Sequence, residues 1–176
     1  MLYQDITILI TSFKSDKKIL ECLNSIDRNI KVLIIENSNN NSFKTNIEKK
    51  FDNCECILAG SNLGYAKGNN LGLSKIKSKY ALILNPDAIL ETSSIKNFLE
   101  TAKKNPDFAI IGPLIQEATS LDSENNEKEL ISVSNVKGFA MFLNLKEFSQ
   151  IGFFDSNFFI YFEEIDLCKR LEKKKK

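Results

Sequence analysis

An α/β fold with a mostly parallel central sheet flanked by helices is predicted by three features of this sequence. Short β-rich runs alternate with stretches of helical periodicity, the pattern of βαβ units. One of those runs, YALILN (80–85), is continuously apolar, as expected of a strand covered on both faces at the sheet's centre. Of the 176 residues, 43% are hydrophobic, enough for one core of ordinary size.

ITILIT (6–11) reads as the first strand. Ile19, Leu20, Leu23 and Ile26 then recur at helical spacing, with Ser15 and Asp16 placed as caps. KVLIIEN (31–37) is a second strand, and Phe43, Ile47 and Phe51, four apart, mark a second helix. ECIL (55–58) is a third short strand and LGYAKGNNLGLSKI (63–76) a third helix. After the central strand, a helix over 93–104 ends before Asn105 and Pro106, because a residue preceding proline is disfavoured in helical geometry. FAIIGPLI (108–115) is a further strand, and the polar, acidic stretch 116–130 a surface loop. ISVSNVKGFAMFLN, a helical LKEFSQI, and FFDSNFFIYFEEIDLCKRL complete one domain over 1–172, with a lysine tail at 173–176.

Four of the 24 basic residues are the closing lysines, so the body holds 20 basic residues against 23 acidic ones. This mildly acidic body, whose only arginines are Arg28 and Arg170, argues against a nucleic-acid binder, which concentrates basic charge on one face. No apolar run approaches the roughly 20 residues that cross a bilayer, and no leader pattern opens the chain, which reads as cytoplasmic. With no histidine and no Cys-x-x-Cys, the four cysteines read as buried thiols and not as a zinc site. Dinucleotide and phosphate-loop glycine fingerprints are lacking. So is the acidic pair that a receiver domain needs after its first strand.

Open α/β sheets bind ligands beyond the carboxyl ends of their strands, which directs attention to Thr11, Ser12 and Phe13, to Glu36 and Asn37, and to Asn85 and Asp87. In Asn-Pro-Asp, Pro86 stops strand pairing and sets Asp87 beyond the sheet edge. There Asp87 can hold Mg²⁺ or Mn²⁺ or simply close a turn. Gly60, Gly64, Gly68 and Gly72, four apart, are four of the seven glycines; on a helix, the last three make a face that lies close to a strand or a ligand. Glu163, Glu164 and Asp166 follow an aromatic-rich run. Acids so placed either raise one member's proton affinity toward that of a general base or favour a helix N-terminus.

Taken in order, these segments resemble family 2 of the glycosyltransferases, with a GT-A nucleotide-sugar-binding fold, and its rhamnosyltransferase-like members above all. The resemblance covers nearly the whole chain: ITILITSFKS, LIIENSNNN, NLGYAKGNNLGL, LILNPDAIL, VKGFAMFLN and FFIYFEEIDLCKRL each match a family segment. It implies that Thr11, Ser12 and Phe13 lie against the base and that Glu36 and Asn37 contact base or ribose. Glu36 is one methylene longer than the family's usual aspartate. Asn70 would order the loop beside the nucleotide, Asn85 bind the ribose or phosphate side, and Asp87 hold the metal. Gly138 and Phe139 would line the acceptor side. Glu164, or Glu163 beside it, would be the base, and Asp166 a cap.

The implied reaction moves a sugar from a nucleoside diphosphate (thymidine diphosphate-rhamnose or a uridine diphosphate sugar) to a glycan or lipid-linked acceptor, inverting configuration, in cell-surface polysaccharide synthesis. Peripheral association with the cytoplasmic membrane face goes with that acceptor. Family members normally continue past the Asp-Leu-Cys helix, often with a histidine that completes the metal site; this chain has none and stops at Lys176. The alternative reading is therefore a truncated nucleotide-sugar-binding module without turnover.

Overall fold

A computed structural model describes residues 2–114 and 130–174, so the acidic stretch read as a surface loop falls almost wholly outside the described residues. Six strands form one sheet in the order β3-β2-β1-β4-β6-β5. They are β1 (Ile6–Ser12), β2 (Lys31–Glu36), β3 (Cys54–Leu58), β4 (Tyr80–Leu84), β5 (Ile110–Ile111) and β6 (Ala140–Asn144). The pairings β1–β2, β1–β4 and β2–β3 are parallel, and β6 runs antiparallel to both β4 and β5. The apolar run 80–85 thus forms an interior strand, β4, buried along its length.

Side chains alternate across the sheet, and two cores result. Ile6, Ile8 and Ile10 of β1 and Tyr80, Leu82 and Leu84 of β4 face one core, closed by α1 (Lys18–Asn24), α2 (Asn41–Lys50) and α4 (Ser94–Lys104). Leu9, Ala81 and Ile83 face the other, under α3 (Gly64–Leu73) and α5 (Glu163–Lys173). All four cysteines are buried free thiols. On α3 the glycine spacing marks close approach to the sheet: a Cβ on Gly72 would lie 2.2 Å from Leu9 Cδ1, and one on Gly68 2.7 Å from Thr11 Cγ2. Bare backbone there lets the helix sit directly on β1.

Local details differ from the sequence reading. Neither Ser15 nor Asp16 caps α1; Ser15 Oγ turns back to donate to the Phe13 carbonyl, 3.2 Å away, and the helix starts at Lys18 without a side-chain cap. Phe51 ends α2, its N–H donating to the Ile47 carbonyl. The run 108–115 gives a strand of only two residues at the sheet edge, because Gly112 and Pro113 follow, and proline has no N–H to add to a ladder. LKEF (Leu145–Phe148) is a single 3₁₀ turn. The last helix takes in Lys173, one residue of the lysine tail.

Candidate functional site

The carboxyl ends of β1, β2 and β4 lie side by side, and a cleft of about 880 Å³ opens over them. Its walls are the β1–α1 loop with Lys14, Ser15, Asp16, Lys17 and Lys18, the start of the β2–α2 connection with Ser38 and Asn40, and Pro86–Asp87 after β4. Lys14 sits at φ 53°, a left-handed kink that turns the loop, and its ammonium lies 5.3 Å from the centre of the exposed Phe13 ring. After β4, the Asn85 N–H donates to the Phe139 carbonyl at 2.9 Å, and the Ala88 N–H donates back to the Asn85 carbonyl at 3.1 Å. Asp87 sits inside that turn with its carboxylate facing outward, half exposed and 3.5 Å from Lys18 Nζ.

Beneath the cleft the polar groups are buried. Glu36 is engaged by its own loop: its carboxylate accepts from the Ser38 N–H and hydroxyl and from the Asn40 N–H at 2.7 Å. Asn37 donates from Nδ2 to the Gly64 carbonyl at 3.0 Å, and its N–H donates to the Ser12 carbonyl at 2.8 Å. Thr11 Oγ1 donates to Asn69 Oδ1 at 2.9 Å. Ser12 Oγ, Asn37 Oδ1 and Asn69 Nδ2 are buried without a hydrogen-bond partner among the described residues. Asn69 stands on the buried face of α3 with Ala66 and Leu73.

On the other side of β4, α5 opens with Glu163, Glu164 and Asp166 in its first turn. Glu163 is 4% exposed, and burial pushes its carboxyl pKa up; the neighbouring Glu164 adds to this, while a backbone hydrogen bond opposes it. One carboxylate oxygen of each glutamate is buried without a hydrogen-bond partner among the described residues. Gly138 lies against this pair: a Cβ there would be 4.0 Å from Glu164 Cγ and 3.4 Å from Tyr65 Oη. The Tyr65 hydroxyl donates to the Gly138 carbonyl, and the phenol pKa is raised first by burial, then by Glu163 and Glu164. The half-buried Phe139 ring packs against the core under α1, α2 and α4. No side chain caps α5, and Asp166 pairs with Arg170 at 2.8 Å. Phe159 to Phe162 are exposed, and Tyr161 and Phe162 both hold left-handed backbone angles.

Helix α3 fastens this side to the rest. Asn70 donates from Nδ2 to the Phe154 carbonyl at 2.8 Å and accepts the Phe154 N–H at 3.0 Å. The Tyr65 N–H donates to the Phe159 carbonyl at 2.7 Å. Gly64, at φ 74°, leaves room for that carbonyl, which would stand 2.3 Å from any Cβ.

A metal would find one half-exposed carboxylate, Asp87, with Asp16 on another wall of the same cleft. Among the described residues no group of three or more acidic, cysteine or histidine side chains forms a closed cation site. This fits a hard divalent cation that shares a carboxylate with substrate phosphates and water, and does not fit a dedicated protein cage. No helix among the described residues is long and apolar enough to cross a membrane.

The family model for glycosyl transferase family 2 matches residues 7–168. The low-salt glycan biosynthesis hexosyltransferase Agl10 of Haloferax volcanii is 27% identical over 96% of this chain and 62% of its own length. Rhamnosyltransferase WbbL of Escherichia coli is 25% identical over 88% of this chain and 71% of its own. Among solved structures, the mannosyltransferase PcManGT of Pyrobaculum calidifontis, in complex with GDP-Man and Mn²⁺, superposes with a TM-score of 0.74 at 11% identity, over 93% of this chain and 50% of that one. The sheet order and the two helical layers are those of the GT-A fold. The chain spans less than two thirds of the Haloferax relative's length.

Proposed function

The chain belongs to glycosyl transferase family 2, and from that premise we propose that it transfers a sugar from a nucleoside diphosphate to a glycan or lipid-linked acceptor in cell-surface polysaccharide synthesis. The observation that carries this reading is the open cleft over β1, β2 and β4, with the Asp87 carboxylate facing outward at its rim. A uridine or thymidine diphosphate sugar, rhamnose among the sugars, is the donor that the reading takes. The rhamnosyltransferase name of the Escherichia coli relative supports the sugar, and the GDP-Man in the Pyrobaculum complex supports a nucleoside-diphosphate donor in general.

In this reading Phe13 and the ends of β1 and β2 flank the base, and Asn85 and Asp87 face the diphosphate. Asp87 holds Mg²⁺ or Mn²⁺, and the bound cation supplies positive charge to the diphosphate as it leaves. Glu164 takes the proton from the acceptor hydroxyl at a position bounded by Gly138 and Tyr65. Its Oε2, buried without a hydrogen-bond partner among the described residues, is free to accept that proton. Glu163 is buried beside it, and burial raises its proton affinity. Attack by the acceptor oxygen opposite the leaving diphosphate is a single displacement and inverts configuration.

The test is a melting-temperature screen of the full chain with uridine, thymidine and guanosine diphosphates, with and without Mn²⁺, followed by measurement of sugar release. A shift that requires both nucleotide and metal is expected, because a ligand bound only to the native state raises apparent stability. If no nucleotide moves the melting temperature, the reading fails.

A further inference from the structure

Lys18 pairs with the proposed metal-binding carboxylate, and it comes from a different element, the start of α1. Its ammonium stands 3.5 Å from Asp87 Oδ2, with side-chain exposures of 72% and 51% for the pair. Two exposed partners hold one another weakly and exchange readily. The same wall carries Lys14 and Lys17, so three ammonium groups share the cleft with the carboxylates of Asp16 and Asp87. A nucleoside diphosphate entering this cleft brings negative charge within reach of all three lysines.

We propose that Lys18 is a diphosphate-binding residue which Asp87 holds in place until ligand arrives. When a divalent cation takes Asp87, the displaced ammonium moves to a phosphate oxygen of the donor. The inference rests on the nucleoside-diphosphate reading and deepens it. In the free protein Lys18 occupies the carboxylate that a metal needs, so it competes with metal; in the complex it adds a charge-assisted contact, so it assists nucleotide. The two ligands therefore respond to its removal in opposite directions. A merely structural lysine would not produce that split.

The experiment uses the full chain and its Lys18→Gln variant, with two probes measured separately. Mn²⁺ alone is titrated by electron paramagnetic resonance, and uridine diphosphate in saturating Mn²⁺ is titrated by calorimetry. Lys18→Gln is expected to bind Mn²⁺ more tightly and uridine diphosphate more weakly, each by roughly three- to tenfold, the scale of one charged contact. Lys18→Arg keeps the charge and should stay near wild type for both. If uridine diphosphate binding is unchanged in Lys18→Gln, or if both ligands weaken together, the inference is overturned while the nucleotide reading stands. If the wild-type chain binds no uridine diphosphate even with Mn²⁺, both fall. Lys18 is largely exposed, so an unchanged melting temperature for the variant is expected and confirms that it folds.

Discussion

The two sides of β4 treat their carboxylates in opposite ways. At the proposed donor side, Asp87 is half exposed and paired with Lys18 across an open cleft. At the proposed acceptor side, Glu163 is buried beside Glu164, and each has an oxygen without a hydrogen-bond partner among the described residues. An exposed, loosely paired carboxylate changes partners at little cost, which suits a place where ions and phosphates come and go. A buried, unpaired one binds a proton strongly, which suits a place where a proton must move. The same functional group thus stands in two environments that differ in solvent exposure, as the two proposed tasks require.

The comparison breaks most visibly if the base is removed. Glu164→Gln is expected to lower transfer by about 10²–10⁴, the usual loss for a positioned general base. Nucleotide affinity should stay at the wild-type value, since Glu164 is not among the residues that line the cleft. Transfer that survives in this variant and dies in Glu163→Gln would give the role to Glu163. Next in size is Asp87→Asn, which should remove the metal-dependent part of uridine or thymidine diphosphate binding, about tenfold or more. An unchanged metal dependence in a calorimetric titration would take the cation away from Asp87.

The donor side was the more legible in the sequence, for a physical reason. Parallel strands read as apolar runs, and their carboxyl ends are where chain direction alone places ligands, so Thr11 to Phe13, Glu36 and Asp87 follow from finding the strands. Yet the lysines of the β1–α1 loop went unassigned, because a lysine after a strand is usually a solvated charge. Only the fold brings Lys18 to Asp87, 69 positions away. Glu36 shows the converse: its position was legible, but its carboxylate's engagement by Ser38 and Asn40 was not. The acceptor side depends on contacts of long sequence separation. Asn70 to Phe154 and Tyr65 to Gly138 are side-chain partnerships that no local pattern encodes. The glycine spacing on α3 did announce close packing, and Leu9 and Thr11 are what it packs against.

That dependence on α3 predicts an asymmetry in stability. Asn70→Ala removes both hydrogen bonds to the Phe154 backbone and leaves a peptide group without its partners, at about 1–3 kcal/mol in urea unfolding. Transfer should fall more than nucleotide affinity, because the segment released leads into the acidic first turn of α5 and not into the cleft. Equal losses of both would mean that α3 supports the two sides alike.

The smallest expected effect is also the most direct reading of the buried acid. Burial, reinforced by Glu164, raises the Glu163 pKa above its ordinary value of 4.5. Between the ordinary and the raised value the folded chain holds a proton that the unfolded chain has released, so stability falls as pH rises through that interval. Below it Glu163 is protonated in both states and contributes no pH dependence; above it the folded chain carries a buried charge at full cost. Glu163→Gln keeps the shape and removes the charge. It should therefore melt a few degrees higher than wild type at pH 8, with the difference shrinking as pH approaches 4. The exposed Asp87, changed to Asn, should show no such gain at pH 8. A pH-independent difference for Glu163→Gln would mean that the Glu163 carboxyl binds its proton no more tightly in the folded chain than in the unfolded one, and the contrast between the two sides of β4 would then be one of exposure alone.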